Sequence, residues 1–404
     1  MAIVAALCLV VLLTLWAAEF LLPNYLTRFA NRVTTDLGLA GEDAARRPLI
    51  PLDAIRSNEF AFTFHRLPGR DLVQVAGIVG PDEDGQFLTV EQADTSVQGR
   101  DLAPLLERLH SWFPEEQRGG IKQLVEIDGA LFGLLGLERE NCLYVALVDF
   151  ERMEVADDYP CLDNSQGFLA FQNAGGGYVL RDGELLIALG VVSDVTWSNA
   201  SAAAQDPSSP YGKILRYDVL AEQDGPRLEN RRVYTTGHRN VQGMVELGGM
   251  VLAVEHGPMG GDEINLIIAG RNYGWPTYSA GSQYNQGDLA SFAAEESGVT
   301  NPLFTFVPSI APSDVTTCPS AVAKRYDTAD CVIVSALRGQ GIYIVLGDFK
   351  NSRVWSVERI EVSARLREVF IHDDALYLVP DHGQLIRTEI IALRCGTQSP
   401  CGRE

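Results

Sequence analysis

The chain reads as an all-β domain carried behind a single N-terminal membrane-spanning helix. Three observations predict this: an unbroken apolar segment at the start, a body built of short β-branched or leucine-rich runs, and a turn-plus-strand unit that recurs along the body.

Ala2–Leu22 is apolar apart from Thr14 and Glu19, and Pro23 ends it. A helix of about 20 such residues crosses the hydrocarbon core of a bilayer. The start has no Lys or Arg, and the bulky Trp16 spoils Leu15-Trp16-Ala17-Ala18 as a cleavage site, so the segment reads as an uncleaved anchor rather than a signal peptide. The expected layout is a transmembrane anchor at 1–23, a tether at 24–58 without sustained periodicity, and one β domain over 59–404. Arg28 and Arg32 would keep their flank cytoplasmic by the positive-inside rule. The cysteines point the other way. Cys8 lies in the anchor, and Cys142, Cys161, Cys318, Cys331, Cys395 and Cys401 fall as three sequence-local couples with no zinc-type spacing. Such couples belong to exported proteins, and long domains translocate largely regardless of a few flanking charges. The expectation is an inner-membrane anchor with the folded domain in the periplasm, beside integral partners.

Gly183–Leu189, Met250–Val254 and Cys331–Ser335 are short apolar runs bounded by turn residues, as strands are. One window, Leu102–Trp112, has a helical period, with Leu102, Leu105, Leu106 and Leu109 on one face. An acidic or glycine turn followed by an apolar strand appears at Asp84-Gly85, Asp128-Gly129, Asp182-Gly183, Gly248-Gly249, Ala329-Asp330 and Asp373-Asp374. Six radially repeated antiparallel sheets would limit exposed strand edges, which makes a six-bladed β-propeller the predicted architecture. A two-sheet sandwich array would give the same repeat.

The net charge is −21. No basic cluster offers itself to phosphates, so nucleic acid is excluded as a partner.

Chemistry concentrates in Gly237–Pro276. Gly237-His238-Arg239-Asn240-Val241-Gln242-Gly243 leads to Glu255-His256-Gly257-Pro258, then Gly261-Asp262-Glu263-Ile264-Asn265-Leu266, then Asn272-Tyr273-Gly274-Trp275-Pro276. Arg239 and Asn240 offer a planar donor fork plus an amide, matched to a carboxylate or a quinone oxygen. Asp262, Glu263 and nearby carbonyls are hard oxygen ligands of the kind calcium takes.

In order and spacing this run resembles the pyrroloquinoline-quinone-dependent glucose/sorbosone dehydrogenase family, whose soluble aldose dehydrogenases carry GHRNPQG, EHGP-x-GGDE and NYGWP; Val241 stands in place of the usual proline. Pro308–Ser313, Ala336–Gly341, Gly212–Arg216 and Arg365–Val369 extend the likeness over about residues 165 to 390. The resemblance implies a six-bladed propeller with the quinone over its axis. It implies that Arg239, Asn240, Arg338, Arg365 and Arg367 hold that cofactor, and that the carbonyls of Gly257 and Pro258 bind a calcium ion beside it. Glu263 and the Tyr273 carbonyl would form part of a second, structural calcium site. The ligand expected in such a pocket is a small sugar or an organic anion.

The departure is at the base. The family places a histidine where this chain has Asn173, just before Gly175-Gly176-Gly177. An asparagine amide accepts no proton at neutral pH, so base catalysis there is lost. None of the six histidines, His65, His110, His238, His256, His372 and His382, falls near that position in sequence. Three outcomes follow: a lapsed enzyme serving as a binding or scaffold subunit of a membrane complex, an active quinone- and calcium-dependent aldose dehydrogenase that oxidises the sugar C1 hydroxyl, or a calcium-stabilised sugar or anion sensor. A second departure precedes Pro308, where Phe304, Phe306 and Val307 stand in place of a tryptophan found in many relatives.

Overall fold

The computed structural model describes residues 55–56, 60–67, 72–73, 75–79, 88–91, 96–97, 100–101, 119–139, 142–163, 174–191, 202–282, 297–326, 329–394 and 402–403. The expected anchor at 1–23, the helical window at 102–112, Asn173, and the Cys395–Cys401 couple lie outside them. Among the described residues no helix is long and apolar enough to cross a membrane.

Six strands, Val75–Val79, Gly119–Ile127, Gly175–Arg181, Val241–Leu247, Pro312–Thr317 and Leu366–His372, contact one another in a closed cycle, the last meeting the first. Each is the innermost strand of an antiparallel sheet, and we number these sheets blades 1 to 6 in that order. Blades 3, 4 and 5 have four strands in simple up-and-down order. Blade 2 has the same four-strand path plus a short fifth strand at Leu162–Asp163. In blade 1 the described residues pair Val75–Val79 with Leu88–Glu91, and Ser96–Val97 pairs with Arg100–Asp101 in a separate short ladder.

Blade 6 joins the two ends of the domain. Leu366–His372, Ala375–Pro380 and Ile386–Arg394 come from the end of the chain, and Phe60–Arg66 pairs antiparallel on Ile386–Arg394 from the beginning. Ile55–Arg56 adds to its edge, slightly ahead of the expected domain start. Closing the ring by hydrogen bonds between the two ends leaves no blade to open on its own.

The recurring turn of the sequence is the inner hairpin of blades 2, 3, 4 and 6. Asp128-Gly129, Asp182-Gly183, Gly248-Gly249 and Asp373-Asp374 all have positive φ at both positions, 48° and 79° in the first case. That is the primed turn whose twist matches two-residue hairpins, and it selects Gly, Asp and Asn. Blade 5 differs: its inner hairpin runs through short helical turns at Ser320–Ala323 and Lys324–Tyr326, and a Cys318–Cys331 disulfide closes it. A second disulfide, Cys142–Cys161, ties the end of blade 2 to its own third strand.

The core lies between blades. Leu185 and Ile187 face Val125, Phe132 and Val145 of blade 2, while Leu186 and Ala188 on the same strand face Met244, Val251 and Ala253 of blade 4. Leu252, Val254 and Ile264 in turn pack on Val315, Val332 and Val334 of blade 5. Both faces of such a strand are buried, which is why these runs read as continuous apolar segments rather than alternating ones.

Candidate functional site at the axial mouth

Every innermost strand carries one residue too many at its N-terminal end. The pairing registers skip Ala76, Lys122, one of Gly176 and Gly177, Gln242, Ser313 and Arg367, one per blade. A bulge bends its strand and re-aims a side chain, and six of them at the same end of six parallel-running strands make a ring around the axis. Glycine is required at one point of it: a Cβ on Gly177 would come within 2.9 Å of the Gly243 nitrogen in the next blade. Across the ring, Lys122 Nζ donates to Gln242 Oε1 at 3.2 Å. Gln242 Nε2 then donates to Asn240 Oδ1 at 2.8 Å and to the Gly175 carbonyl at 3.2 Å. Ser313 Oγ donates to the Leu366 carbonyl at 2.6 Å. Below the ring the channel opens to a cavity of about 280 Å³, lined in part by Gln123, Tyr178, Met244, Asp314, Glu368 and Phe370.

The loop before blade 4's first strand presents Arg239 and Asn240, and Glu255 holds that loop. Its carboxylate is buried. It accepts from the Arg239 backbone N–H at 2.9 Å and from Asn265 Nδ2 at 2.7 Å, and lies 3.1 Å from His238 Nδ1. Burial alone would raise its pKa, but His238 and the backbone N–H groups of Arg239 and Asn240 outweigh it and hold the carboxyl below the usual range. His238 stacks on Tyr273 with ring centroids 4.6 Å apart. Arg239 Nη1 donates to the carbonyls of His256 at 3.0 Å and Gly257 at 2.9 Å, and its guanidinium lies 5.3 Å from the Trp275 ring centroid. Asp262 ties the neighbouring loops, accepting from Gly257 N at 3.0 Å and from Ile310 N and Ala311 N at 2.7 Å each.

Blade 6 brings its own cations. Arg365 Nε and Arg367 Nη2 both donate to Asp381, at 3.1 and 2.6 Å. Burial works against the Asp381 charge, yet Arg367 and Arg365 together hold its pKa below the ordinary aspartate value. Arg338 is exposed, with its backbone N–H on the Ile310 carbonyl at 3.0 Å. The charges meet at His256: burial first, then Arg239, with smaller contributions from Lys122 and Arg367, push its imidazole down to about 3. A neutral ring with buried Nε2 lacking a hydrogen-bond partner thus faces cations from blades 2, 4 and 6.

A ring of bulges, a buried carboxylate behind an Arg-Asn pair and an arginine fork from the last blade sit on a chain whose residues 139–387 match the Glucose / Sorbosone dehydrogenase family model. The chain belongs to that family. Relatives include an aldose sugar dehydrogenase of Escherichia coli, 28% identical over 54% of this chain and 61% of its own length. A protein of Synechocystis sp. is 32% identical over 46% of this chain and 47% of its own length. The matches thus span about half to three fifths of these two curated relatives. Among solved structures, the apo soluble aldose sugar dehydrogenase of E. coli aligns with a TM-score of 0.61 at 20% identity, over 81% of this chain and 99% of that one. The PQQ-bound aldose sugar dehydrogenase of Streptomyces coelicolor aligns with a TM-score of 0.51 at 20% identity, over 81% of this chain and 98% of that one. At these identities the structural likeness establishes the propeller fold.

The donor set suits the groups that the family motifs imply. Beside the mouth, Glu255 and Glu263 share a recess lined also by Tyr273. Burial, then the neighbouring Glu255, push the Glu263 carboxyl up to about 8. Asn265 Oδ1 beside them is buried with no hydrogen-bond partner. Two crowded carboxyls and an orphaned carbonyl oxygen are what a hard cation would satisfy. The other expected pair is more committed: the Gly257 carbonyl accepts from Arg239, and the Pro258 carbonyl from Ser309 Oγ at a long 3.4 Å. Among the described residues no three His, Cys, Asp or Glu side chains gather as a metal cluster. At the mouth, the unpartnered Trp275 Nε1 donor and the surrounding cations suit an anion with acceptor oxygens.

Of the site residues read from sequence, Arg239, Asn240, Arg365 and Arg367 reach the mouth region, and Glu263 and Tyr273 share the recess. Sequence reasoning missed Lys122, Gln242, Glu255 as loop holder, and Asp381. Glu255 sat inside a recognised motif, whereas Lys122 and Asp381 lie where no local pattern marks them. In blade 4, Phe306 is buried and Phe304 meets it edge-on at 5.0 Å, while Val307 is 73% exposed.

Proposed function

We propose that this protein is a membrane-held, periplasmic propeller that binds a quinone-type polycarboxylate at the axial mouth. It has lost its family's histidine-based sugar oxidation and acts as a binding subunit beside an integral membrane partner. One observation carries the reading: the bulges of blades 2 and 6 bring Lys122 and Arg367 to the end of the axis where the blade 4 loop presents Arg239 and Asn240, with Lys122 joined to Asn240 through Gln242. Gathering cations at one end of the axis is costly; Asp381 answers the blade 6 pair, and a bound anion would add to that compensation. Pyrroloquinoline quinone, when bound, would supply hydride acceptance. The residues that would hold it are Arg239, Asn240, Arg338, Arg365 and Arg367, with calcium at the Gly257 and Pro258 carbonyls. A second calcium would be held by Glu263 and the Tyr273 carbonyl. Asn173 at the histidine position supports the lapsed state. Two disulfides and the apolar start of the chain support the periplasmic side and the anchor.

The alternative is an active quinone- and calcium-dependent aldose dehydrogenase, favoured by the retained arginines of blades 4 and 6. One assay separates the readings: the full chain, purified in detergent with calcium, is titrated with the quinone and followed for the bound-cofactor spectrum and for dye reduction by aldoses. Binding without turnover supports the proposal, rapid dye reduction establishes the alternative, and no binding removes both. Deletion of residues 2–22 should move the protein from the membrane fraction to the soluble periplasmic one.

A further inference from the structure

We infer that Lys122 is a further ligand contact, an amine from blade 2 that takes up a proton and, as the ammonium, pairs with a carboxylate of the bound anion. The inference rests on the anion-binding reading above. Its basis is geometric. Lys122 is the bulged residue of blade 2, in the same place in its blade as Arg367 in blade 6 and Gln242 in blade 4. The bulge turns its side chain across the axis, where Nζ reaches Gln242 Oε1, itself one hydrogen bond from Asn240. A Cβ placed on Gly176 would lie 3.6 Å from Nζ, so the amine rests against the strand that follows residue 173. Lys122 is 4% exposed, and Gln242 is the hydrogen-bond acceptor found for its three donors.

The groups facing it are few. From blade 6 come Arg367 and Glu368, from blade 5 Asp314, and from the blade 4 loop His256. Burial, then Arg367, draw the Lys122 amine down to about 7, against smaller opposing contributions from Glu368 and Asp314. Asp314 is itself pushed well up by burial and by Glu368. An incoming carboxylate would add to the negative charge of Glu368 and hold the proton on the amine.

The test is isothermal titration of the full chain in detergent with pyrroloquinoline quinone, from about pH 6 to about pH 9, in buffers of differing ionisation heat. The unaltered chain should bind with proton uptake, and affinity should fall as pH rises through neutrality. Lys122→Arg, which stays charged throughout, should flatten that fall. Lys122→Met should weaken binding about 10- to 100-fold at the acid end, the scale of one charged hydrogen bond, and abolish the uptake while the melting transition is kept. Unchanged affinity and uptake in Lys122→Met overturns this inference alone. Absence of binding by the unaltered chain overturns the anion-binding reading and this inference together.

Discussion

Glu255 Oε2 accepts the backbone N–H of Arg239 at 2.9 Å, so a residue at the end of one strand of blade 4 fixes the loop that starts the blade. The same carboxylate serves His238 and Asn265. Glu255→Ala should therefore cost about 3–5 kcal/mol, the range for breaking a buried charged pair by removing one partner, read by denaturant unfolding. Because the native pKa of Glu255 is depressed, its contribution is fully present above the ordinary glutamate value and fades as pH falls through the native one. The difference between the unaltered chain and Glu255→Gln should narrow on acidification.

Lys122 runs in the opposite sense. Its native pKa of about 7 lies below the unfolded 10.5, so the unfolded chain holds more protons between those values and stability rises with pH across that window. Lys122→Met should melt higher than the unaltered chain below neutral pH, with the gain vanishing toward the upper value. A stabilising substitution that weakens ligand binding would mark the residue as kept for the site.

Asp381 should act on binding through Arg365 and Arg367. Asp381→Asn leaves the shape but removes the charge that holds both guanidiniums, and quinone affinity should drop about tenfold, the scale of one charge-assisted hydrogen bond. Asp381→Glu should recover part of it.

Asn173→His tests the lapsed base directly. A positioned base contributes about 10²–10⁴-fold, so dye reduction with aldoses should rise from background toward that range. A variant that binds the quinone without any gain would show that the mouth has changed beyond residue 173.

Removing the Cys142–Cys161 disulfide, with its sequence separation of 19, should cost about 3 kcal/mol in the loop-entropy account. Cys142→Ser/Cys161→Ser should lower the melting temperature in non-reducing buffer, and reductant should bring the unaltered chain toward the double variant.

The sequence by itself determined what is local. Asp128-Gly129 and Asp182-Gly183 announce primed turns because few other pairs accept positive φ twice. The runs after them read as strands because both faces are buried, and the Gly237–Pro276 motifs named the family because their spacing is set within one blade. Two of the three cysteine couples were legible for the same reason, each closing a short loop. What only the tertiary structure decided depends on closing the ring. Lys122 sits in an apolar strand pattern, Asp381 follows an unremarked Pro380, and Phe60–Arg66 pairs with Ile386–Arg394 across nearly the whole domain. No local pattern records which side chains six bulges will turn toward one axis, because their neighbours come from other blades, 53 residues away for Ser313 and Leu366 and 120 for Lys122 and Gln242, and the ring is complete only after the ends of the chain have met.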